Sequence, residues 1–285
     1  MKYYWKLIRP VNLILTILTQ VLFIISASRI GNSPFNFDFT NIRTRESIFT
    51  LLACVFVAAG GYIINDLFDI ETDRINKPEK LILSKHISLN SARIFYVILT
   101  AVGIVSGFLV GLGMGILCVV LAILLFFYSS DLKGEMLQGN LLIAMMAGMV
   151  VYVSSRGVYN VSNTYFGEYA SVAFFITMVR EIIKDIEDIE GDKAHEYNTY
   201  PVVKGIQKSK FLSLIFLTIT FIIIILLCFM SANMLYSTYM CSIIIPALIY
   251  IAVLIFKAKE KSDFRKISNW LKITMFLGLF SSLFC

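Results

Sequence analysis

Two groups of aspartates in this sequence share the same internal spacing. They are Asp66-x-x-Asp69-x-x-x-Asp73 and Asp185-x-x-Asp188-x-x-x-Asp192. Residues at positions i, i+3 and i+7 lie on one face of an α-helix, so each group predicts a column of carboxylates.

Carboxylates that are packed this closely repel one another unless cations lie between them. Oxygen ligands of this kind select hard divalent ions, and Mg²⁺ usually binds through one or two carboxylates together with substrate phosphates. Asn65 precedes Asp69 by four residues, so it lies beside the first column. Two such columns that face each other therefore predict a site for Mg²⁺ and a diphosphate.

Basic residues accompany both aspartate groups. Arg74 and Lys77 follow the first group, Lys184 and Lys193 are interleaved with the second, and Lys133 lies in a loop between them. These cations would neutralise phosphate oxygens that are not bound to metal and stabilise the charge on a departing diphosphate. Solvated loop charges are the alternative for either run alone, but the repeated spacing disfavours that interpretation.

The rest of the sequence is typical of a membrane protein. Of its 285 residues, 58% are hydrophobic and only 15% are charged. A helix needs about 20 apolar residues to cross a hydrocarbon core roughly 30 Å thick. Apolar blocks near that length occur at 11–28, 46–64, 91–111, 113–129, 140–157, 166–183, 211–231, 236–256 and 268–285. We therefore expect an all-α polytopic protein with nine transmembrane helices and one integral membrane domain over residues 1–285. We expect its surroundings to be the lipid bilayer and expect no nucleic-acid partner.

The charges outside the apolar blocks predict the orientation. Nine crossings place both aspartate groups and nearly all lysines on the same side as the N-terminus, and the far side keeps only Arg29, Arg43, Arg45 and Arg156. Cytoplasmic loops carry an excess of Lys and Arg. We therefore expect a protein of the cell membrane whose N-terminus and aspartate-rich segments are cytoplasmic.

The aspartate groups resemble the two aspartate-rich motifs of the UbiA superfamily of intramembrane prenyltransferases. The first match reads NDLFDIETDRINKP at 65–78, and the second reads REIIKDIEDIEGD at 180–192. Weaker signatures are RPVN at 9–12, Tyr128-Ser129-x-x-Leu132-Lys133, and Gly139-Asn140. The resemblance therefore extends from residue 9 to about residue 205, and the last three crossings match in number only.

This resemblance implies nine helices around a central cavity open toward the lipid, capped on the cytoplasmic side by the loops after the second and sixth helices. It also implies two Mg²⁺ ions that bind a prenyl diphosphate, whose ionisation gives an allylic carbocation that a lipophilic acceptor attacks. The first ion is assigned to Asn65, Asp66, Asp69 and Asp73, and the second to Asp185, Asp188 and Asp192. Asp69, Asp73, Asp188 and Asp192 are also the expected catalytic carboxylates.

Further roles follow from the same resemblance. Lys133 and Lys193 would hold the diphosphate, and Tyr128 would donate to it or shield the carbocation, although an interfacial tyrosine is an equal alternative. The remaining substrate-binding candidates are Arg9, Asn12, Asn65, Arg74, Lys77 and Lys184. His195 is a candidate base for the acceptor hydroxyl, because imidazole titrates near neutral pH; a solvated loop histidine is the alternative.

The second motif is most similar to the branch of the family that alkylates the free hydroxyl of geranylgeranylglyceryl phosphate in ether-lipid biosynthesis. Residues 80–85 and 194–199 depart from the pattern of that branch, so an aromatic acceptor of quinone biosynthesis, such as 4-hydroxybenzoate or homogentisate, is the alternative. Outside this class, a transporter would usually bury its acids near the bilayer midplane. The sequence leaves the prenyl chain length and the oligomeric state open.

Overall fold

The computed structural model describes residues 2–29, 36–71, 82–159 and 163–284, and these ranges are helical apart from turns and isolated bridges. The helices are α1 (Lys2–Leu7), α2 (Pro10–Ala27), α3 (Thr44–Phe68), α4 (Leu89–Val110), α5 (Leu112–Ser130), α6 (Gln138–Val153), α7 (Asn163–Ala194), α8 (Tyr200–Lys204), α9 (Ile206–Met230), α10 (Met234–Tyr239), α11 (Ile245–Lys257) and α12 (Lys261–Ser281). A π-helical segment, Met240–Ile244, joins α10 to α11. The predicted all-α fold class is confirmed.

Eight helical segments in the described ranges are long and apolar enough to cross a membrane, and they correspond to eight of the predicted crossings. The remaining predicted crossing, 166–183, lies within α7. That helix has 32 residues but includes Glu168 and Arg180, and it is not among the eight. The count of nine crossings therefore stays a prediction.

The chain forms two compact units, and the first contains residues 1–21, 42–133 and 156–159. Glycines allow its helices to approach one another closely. A Cβ at Gly103 of α4 would lie 2.9 Å from the backbone nitrogen of Val57 in α3, and Gly107 accommodates the side chain of Cys118 in α5. Close helix packing through small residues is typical of membrane proteins. This packing holds the end of α3, where the first aspartate motif begins.

The second unit contains residues 22–41, 134–155 and 160–285. Its central helix is α7, which packs against α6, α9 and α12. The Arg265 side chain of α12 donates to Glu187 of α7 at 2.9 Å. The Lys210 ammonium of α9 donates to the carbonyl oxygens of Phe256 and Ala258, both at 2.9 Å, where α11 ends. The two contacts of Lys210 satisfy carbonyl oxygens that the end of α11 leaves without partners in the helix.

The two motifs differ in local structure. Helix α3 ends at Phe68, immediately before Asp69, whereas α7 continues through the second motif to Ala194. The second motif contains three glutamates, one lysine and one arginine, which favour helix, and its first glycine is Gly191. The second motif is therefore the last part of a long helix rather than a loop that follows the crossing.

Candidate functional site

Asp69 is held by two side chains of the first unit. Asn65 Nδ2 donates to Asp69 Oδ2 at 2.7 Å, and Lys133 Nζ lies 2.5 Å from the same oxygen. The backbone N–H of Asp69 also donates to the Asn65 carbonyl at 2.9 Å, which ends α3 and keeps the two residues together. The exposed fraction of Asp69 is 8%. The structure therefore brings together a carboxylate, an amide and a cation that the sequence assigned to one site.

Arg9 contacts the adjacent carboxylate of the first motif. Its guanidinium lies 2.6 Å from Asp66 Oδ1 and 5.1 Å from the centroid of the Tyr62 ring. The backbone of Arg9 is left-handed, with φ of 52°. Positive φ is strained for a side-chain-bearing residue, and such positions cluster at functional sites. Asn12 is exposed near the start of α2.

Four further residues were assigned to this part of the site from the sequence. Tyr128 is half-buried in the last turn of α5. Asp73, Arg74 and Lys77 lie outside the described residues, so the latter part of the first motif stays a prediction.

In the second motif, neutral donors contact two carboxylates. Asn140 of α6 donates from Nδ2 to Asp185 at 2.7 Å, and the Thr199 hydroxyl donates to Asp192 at 2.9 Å. Desolvation raises the pKa of Asp185 to about 7, against the hydrogen bond from Asn140, which lowers it. The negative charges of Glu181 and Asp192 contribute to this raised pKa, and the positive charge of Lys184 lowers it. An unprotonated Asp185 therefore favours a bound cation.

The other predicted residues of α7 lie at different depths. Asp188 is half-buried, one helical turn from Asp185. Lys184 is exposed, with Nζ 3.9 Å from Glu181, and Lys193 is exposed in the last turn of the helix.

His195 follows the end of α7. Its Nδ1 lies 2.7 Å from the Gly191 carbonyl oxygen. Because a carbonyl only accepts, Nδ1 carries the hydrogen in this contact, and Nε2 of the neutral ring is then an acceptor. The position of His195 is thus compatible with the predicted role of a base.

Four contacts of the candidate site were not predicted from the sequence: Lys133 with Asp69, Arg9 with Asp66, Asn140 with Asp185, and Thr199 with Asp192. The Gly139-Asn140 signature was a signal for the third contact. Thr199 and its aspartate are seven residues apart across the end of α7, so helical spacing does not pair them.

The described residues contain no group of three or more His, Cys, Asp or Glu side chains placed to hold a metal ion. The donor chemistry can still be tested against Mg²⁺. Asp69 already binds the ammonium group of Lys133, and Asp185 is a desolvated carboxylate near two other acids. These oxygen donors are the type that hard divalent ions prefer, so the residues fit Mg²⁺.

Comparison with known proteins agrees with this chemistry. The UbiA prenyltransferase family profile matches residues 21–279. The digeranylgeranylglyceryl phosphate synthase of Methanosphaera stadtmanae is 34% identical over 281 residues, which cover 98% of this chain and 97% of that protein.

Solved structures of related proteins share the fold. One of them comes from work on digeranylgeranylglyceryl phosphate synthase in membranes. It is 28% identical to this chain, has a TM-score of 0.79, and the match covers 99% of this chain and 96% of that one. A UbiA homologue from Archaeoglobus fulgidus, solved bound to GPP and Mg²⁺, is 18% identical with a TM-score of 0.71, covering 98% of this chain and 99% of that one. The chain belongs, as its aspartate motifs predict, to the UbiA prenyltransferase family.

Proposed function

We propose that this integral membrane enzyme transfers a geranylgeranyl group from geranylgeranyl diphosphate to the free hydroxyl of geranylgeranylglyceryl phosphate. The observation that carries the proposal is 34% identity along 98% of the chain with a protein named digeranylgeranylglyceryl phosphate synthase. In this reaction the bond from C1 to the diphosphate oxygen breaks and an ether bond forms at the same carbon. The hydroxyl proton passes to a base, and diphosphate leaves.

The diphosphate of the donor would be bound through two Mg²⁺ ions at the aspartate motifs. Asn65, Asp66, Asp69 and Asp73 would hold one ion, and Asp185, Asp188 and Asp192 would hold the other. When bound, the ions supply positive charge that makes the diphosphate a better leaving group. A structural neighbour was solved with GPP and Mg²⁺, which supports the binding of Mg²⁺ together with a prenyl diphosphate. Chelation with EDTA should stop turnover and added Mg²⁺ should restore it; product formed without metal would exclude this role.

The basic residues would bind phosphate oxygens directly. Lys133 pairs with Asp69 at 2.5 Å and would exchange that contact for a diphosphate oxygen. Arg74, Lys77 and Lys193 would bind further oxygens of the donor, and Lys184 a substrate phosphate. Tyr128 would donate to the leaving diphosphate or shield the allylic cation with its ring.

Asn12, Arg9 and His195 were the candidates for the acceptor. Nε2 of His195 is an acceptor, since Nδ1 already donates to a carbonyl oxygen, and it would take up the released proton without direct contact with the acceptor hydroxyl. An aromatic acid would need a cation for its carboxylate, and Arg9 was the candidate. The names of the relatives favour the ether-lipid acceptor over 4-hydroxybenzoate or homogentisate.

We also propose that the N-terminus and both aspartate motifs face the cytoplasm, as the distribution of Lys and Arg predicts. In a protein whose five native cysteines are replaced by serine, Lys77→Cys and Lys193→Cys should each react with an impermeant thiol reagent only from the cytoplasmic side. Labelling from outside intact cells would reverse the orientation.

Mass spectrometry of the products tests the proposed reaction. The purified protein is incubated with Mg²⁺, geranylgeranyl diphosphate and, in parallel, geranylgeranylglyceryl phosphate, 4-hydroxybenzoate and homogentisate. A doubly prenylated glycerol phosphate is expected. A prenylated aromatic ring instead would move the enzyme to quinone biosynthesis, and uptake into proteoliposomes without any product would favour a transporter.

A further inference from the structure

Three basic residues of the second unit lie near one another where α7 and α12 are adjacent. Lys272 of α12 is within electrostatic range of Arg180 and Lys184 of α7, and also of the carboxylates of Glu181 and Glu187 on the same helix. Arg180 forms an ion pair with Glu181, and Lys184 lies 3.9 Å from the same carboxylate. Lys272 belongs to a helix that is apolar enough to cross a membrane. Ionisable residues in such helices are expensive, and they usually mark a functional site.

Two side-chain contacts define how α7 and α12 align. Arg265 contacts Glu187 at 2.9 Å, and Ser281 contacts the hydroxyl of Tyr169 at 3.3 Å. Residue numbers increase along α12 from 265 to 281 while those of the contacted residues of α7 decrease from 187 to 169, so the two helices are antiparallel. This register places Lys272 level with Arg180.

An apolar cavity lies next to these cations along the same two helices. Its volume is about 90 Å³, and its lining includes Val172, Ala173 and Ile176 of α7 with Met275 and Gly278 of α12. A single water needs only about 10–15 Å³ on such a measure. The cavity therefore has room for a segment of an apolar chain.

A buried polar group of α12 belongs to the lining of the cavity. Thr274 lines the cavity and is 3% exposed. Its hydroxyl has no hydrogen-bond partner within the described part of the chain. A buried hydroxyl without a hydrogen-bond partner destabilises the folded protein. An ether oxygen of a ligand would supply the missing acceptor.

Arg180 and the metal-binding carboxylates occupy different faces of α7. Arg180 follows Ile176 by four residues and so continues the face that lines the cavity. At 3.6 residues per turn, Asp185 is rotated from Arg180 by about 140° and Asp188 by about 80°. Lys184 lies between the two faces, one turn before Asp188. A phosphate bound at Arg180 is thus distinct from a diphosphate bound at the aspartates.

We propose that Arg180, Lys184 and Lys272 bind the phosphate of the acceptor, that Thr274 donates to its ether oxygen, and that the cavity takes its isoprenoid chain. A phosphate group matches three cations, and an isoprenoid matches an apolar cavity. This inference rests on the proposed function, because it identifies the ligand as the phosphorylated acceptor of that reaction.

Neutralising Lys272 tests the phosphate site. Lys272→Gln should raise the KM for geranylgeranylglyceryl phosphate about tenfold, as expected for the loss of a charged hydrogen bond. The KM for the donor and the Mg²⁺ requirement should stay within twofold of the original protein. Lys266→Gln, which removes the same charge from an exposed position of α12, is the matched control and should leave all three unchanged. An unchanged acceptor KM in Lys272→Gln would overturn the assignment.

Filling the cavity tests the chain-binding part independently. Gly278 lines the cavity, and a Cβ added there meets no atom within 4 Å, so Gly278→Leu should fold. We expect this substitution to weaken the binding of an acceptor with a full-length isoprenoid chain about tenfold. The binding of an acceptor with a shortened chain should weaken less. Gly167→Leu is the matched control, because Gly167 is equally open but does not line the cavity. If the two substitutions weakened acceptor binding equally, or if Gly278→Leu weakened both acceptors equally, the cavity would be excluded as the binding site of the chain.

Direct binding separates this inference from the proposed reaction. Acceptor binding to the full chain in nanodiscs is measured without donor or Mg²⁺, and it should weaken in Lys272→Gln but not in Lys266→Gln. Displacement by geranylgeranyl diphosphate or by phosphatidylglycerol at equal concentration would assign the site to the donor or to bulk lipid and overturn the inference. Absence of any doubly prenylated product from the unsubstituted protein would instead reject the proposed function.

Discussion

The two aspartate sites differ in the partners of their carboxylates. Asp69 of the first unit contacts the ammonium group of Lys133 at 2.5 Å. Asp185 of the second unit accepts a hydrogen bond from the neutral amide of Asn140 at 2.7 Å. A cation balances the charge of a carboxylate, whereas a neutral donor orients it and leaves its charge in place. The first site therefore carries part of its own neutralising charge beside Asp69, and we predict that the second relies more on a bound ion.

The two sites also differ in their backbone. Asp69 follows the end of α3, and Asp185 lies inside α7, nine residues before Ala194. A side chain on a helix is positioned more accurately than one on a connecting segment. We therefore expect the second site to be the more rigid half.

Removing one carboxylate from each site should have the largest effect. Asp69→Ala and Asp188→Ala should each lower kcat about a thousandfold or more, roughly 4 kcal/mol of transition-state stabilisation, because the charge of the leaving diphosphate is no longer balanced. Turnover is measured by product mass spectrometry. Glu190→Ala, at an exposed position of α7, is the control and should stay active. Full activity of either aspartate variant would remove its site from the reaction.

Removing the cation of the first site should have the next largest effect. Lys133→Met should lower kcat about a hundredfold, similar to the loss of one preorganised donor to a developing negative charge. Lys133→Arg should recover part of that loss. Single-turnover measurements separate the chemical step from substrate binding. Lys204→Met, at the exposed end of α8, serves as the control; an equal loss there would show a general charge effect.

Removing the neutral donor of the second site should change the metal requirement. Asn140→Leu should raise the Mg²⁺ concentration for half-maximal activity about tenfold, since a hydrogen bond to a charged group contributes about 1.5–3 kcal/mol. Asp185 would lose the contact that orients it. Asn269→Leu, at an exposed position of α12, is the control. An unchanged Mg²⁺ requirement would contradict the proposed difference between the sites.

The smallest effect is expected at Thr199. Thr199→Val should lower kcat/KM about threefold, because one neutral hydroxyl donor to Asp192 is lost and such bonds contribute about 0.5–1.5 kcal/mol. Steady-state kinetics at saturating Mg²⁺ measures this change. Thr218→Val, at an exposed position of α9, should have no effect. A loss as large as that expected at Lys133 would show that Thr199 does more than orient the carboxylate.

The long helices were predictable because their apolar stretches end at polar residues. The predicted crossing at 113–129 became Leu112–Ser130, and the one at 236–256 lies within the span Met234–Lys257. The short helices α1 and α8 and the π-helical segment were not predicted. Their lengths of five or six residues are below what periodicity can reveal, because tertiary contacts stabilise such short elements.

The sequence by itself determined the all-α membrane class, the family and the identity of the candidate carboxylates. Hydropathy and helical spacing are local properties, so Asn65 and Asp69 could be paired from their separation of four residues. The tertiary structure decided the partners that are distant in the chain, which are Lys133 for Asp69 and Asn140 for Asp185. These partners depend on which helices pack together, and spacing along the chain carries no record of that packing.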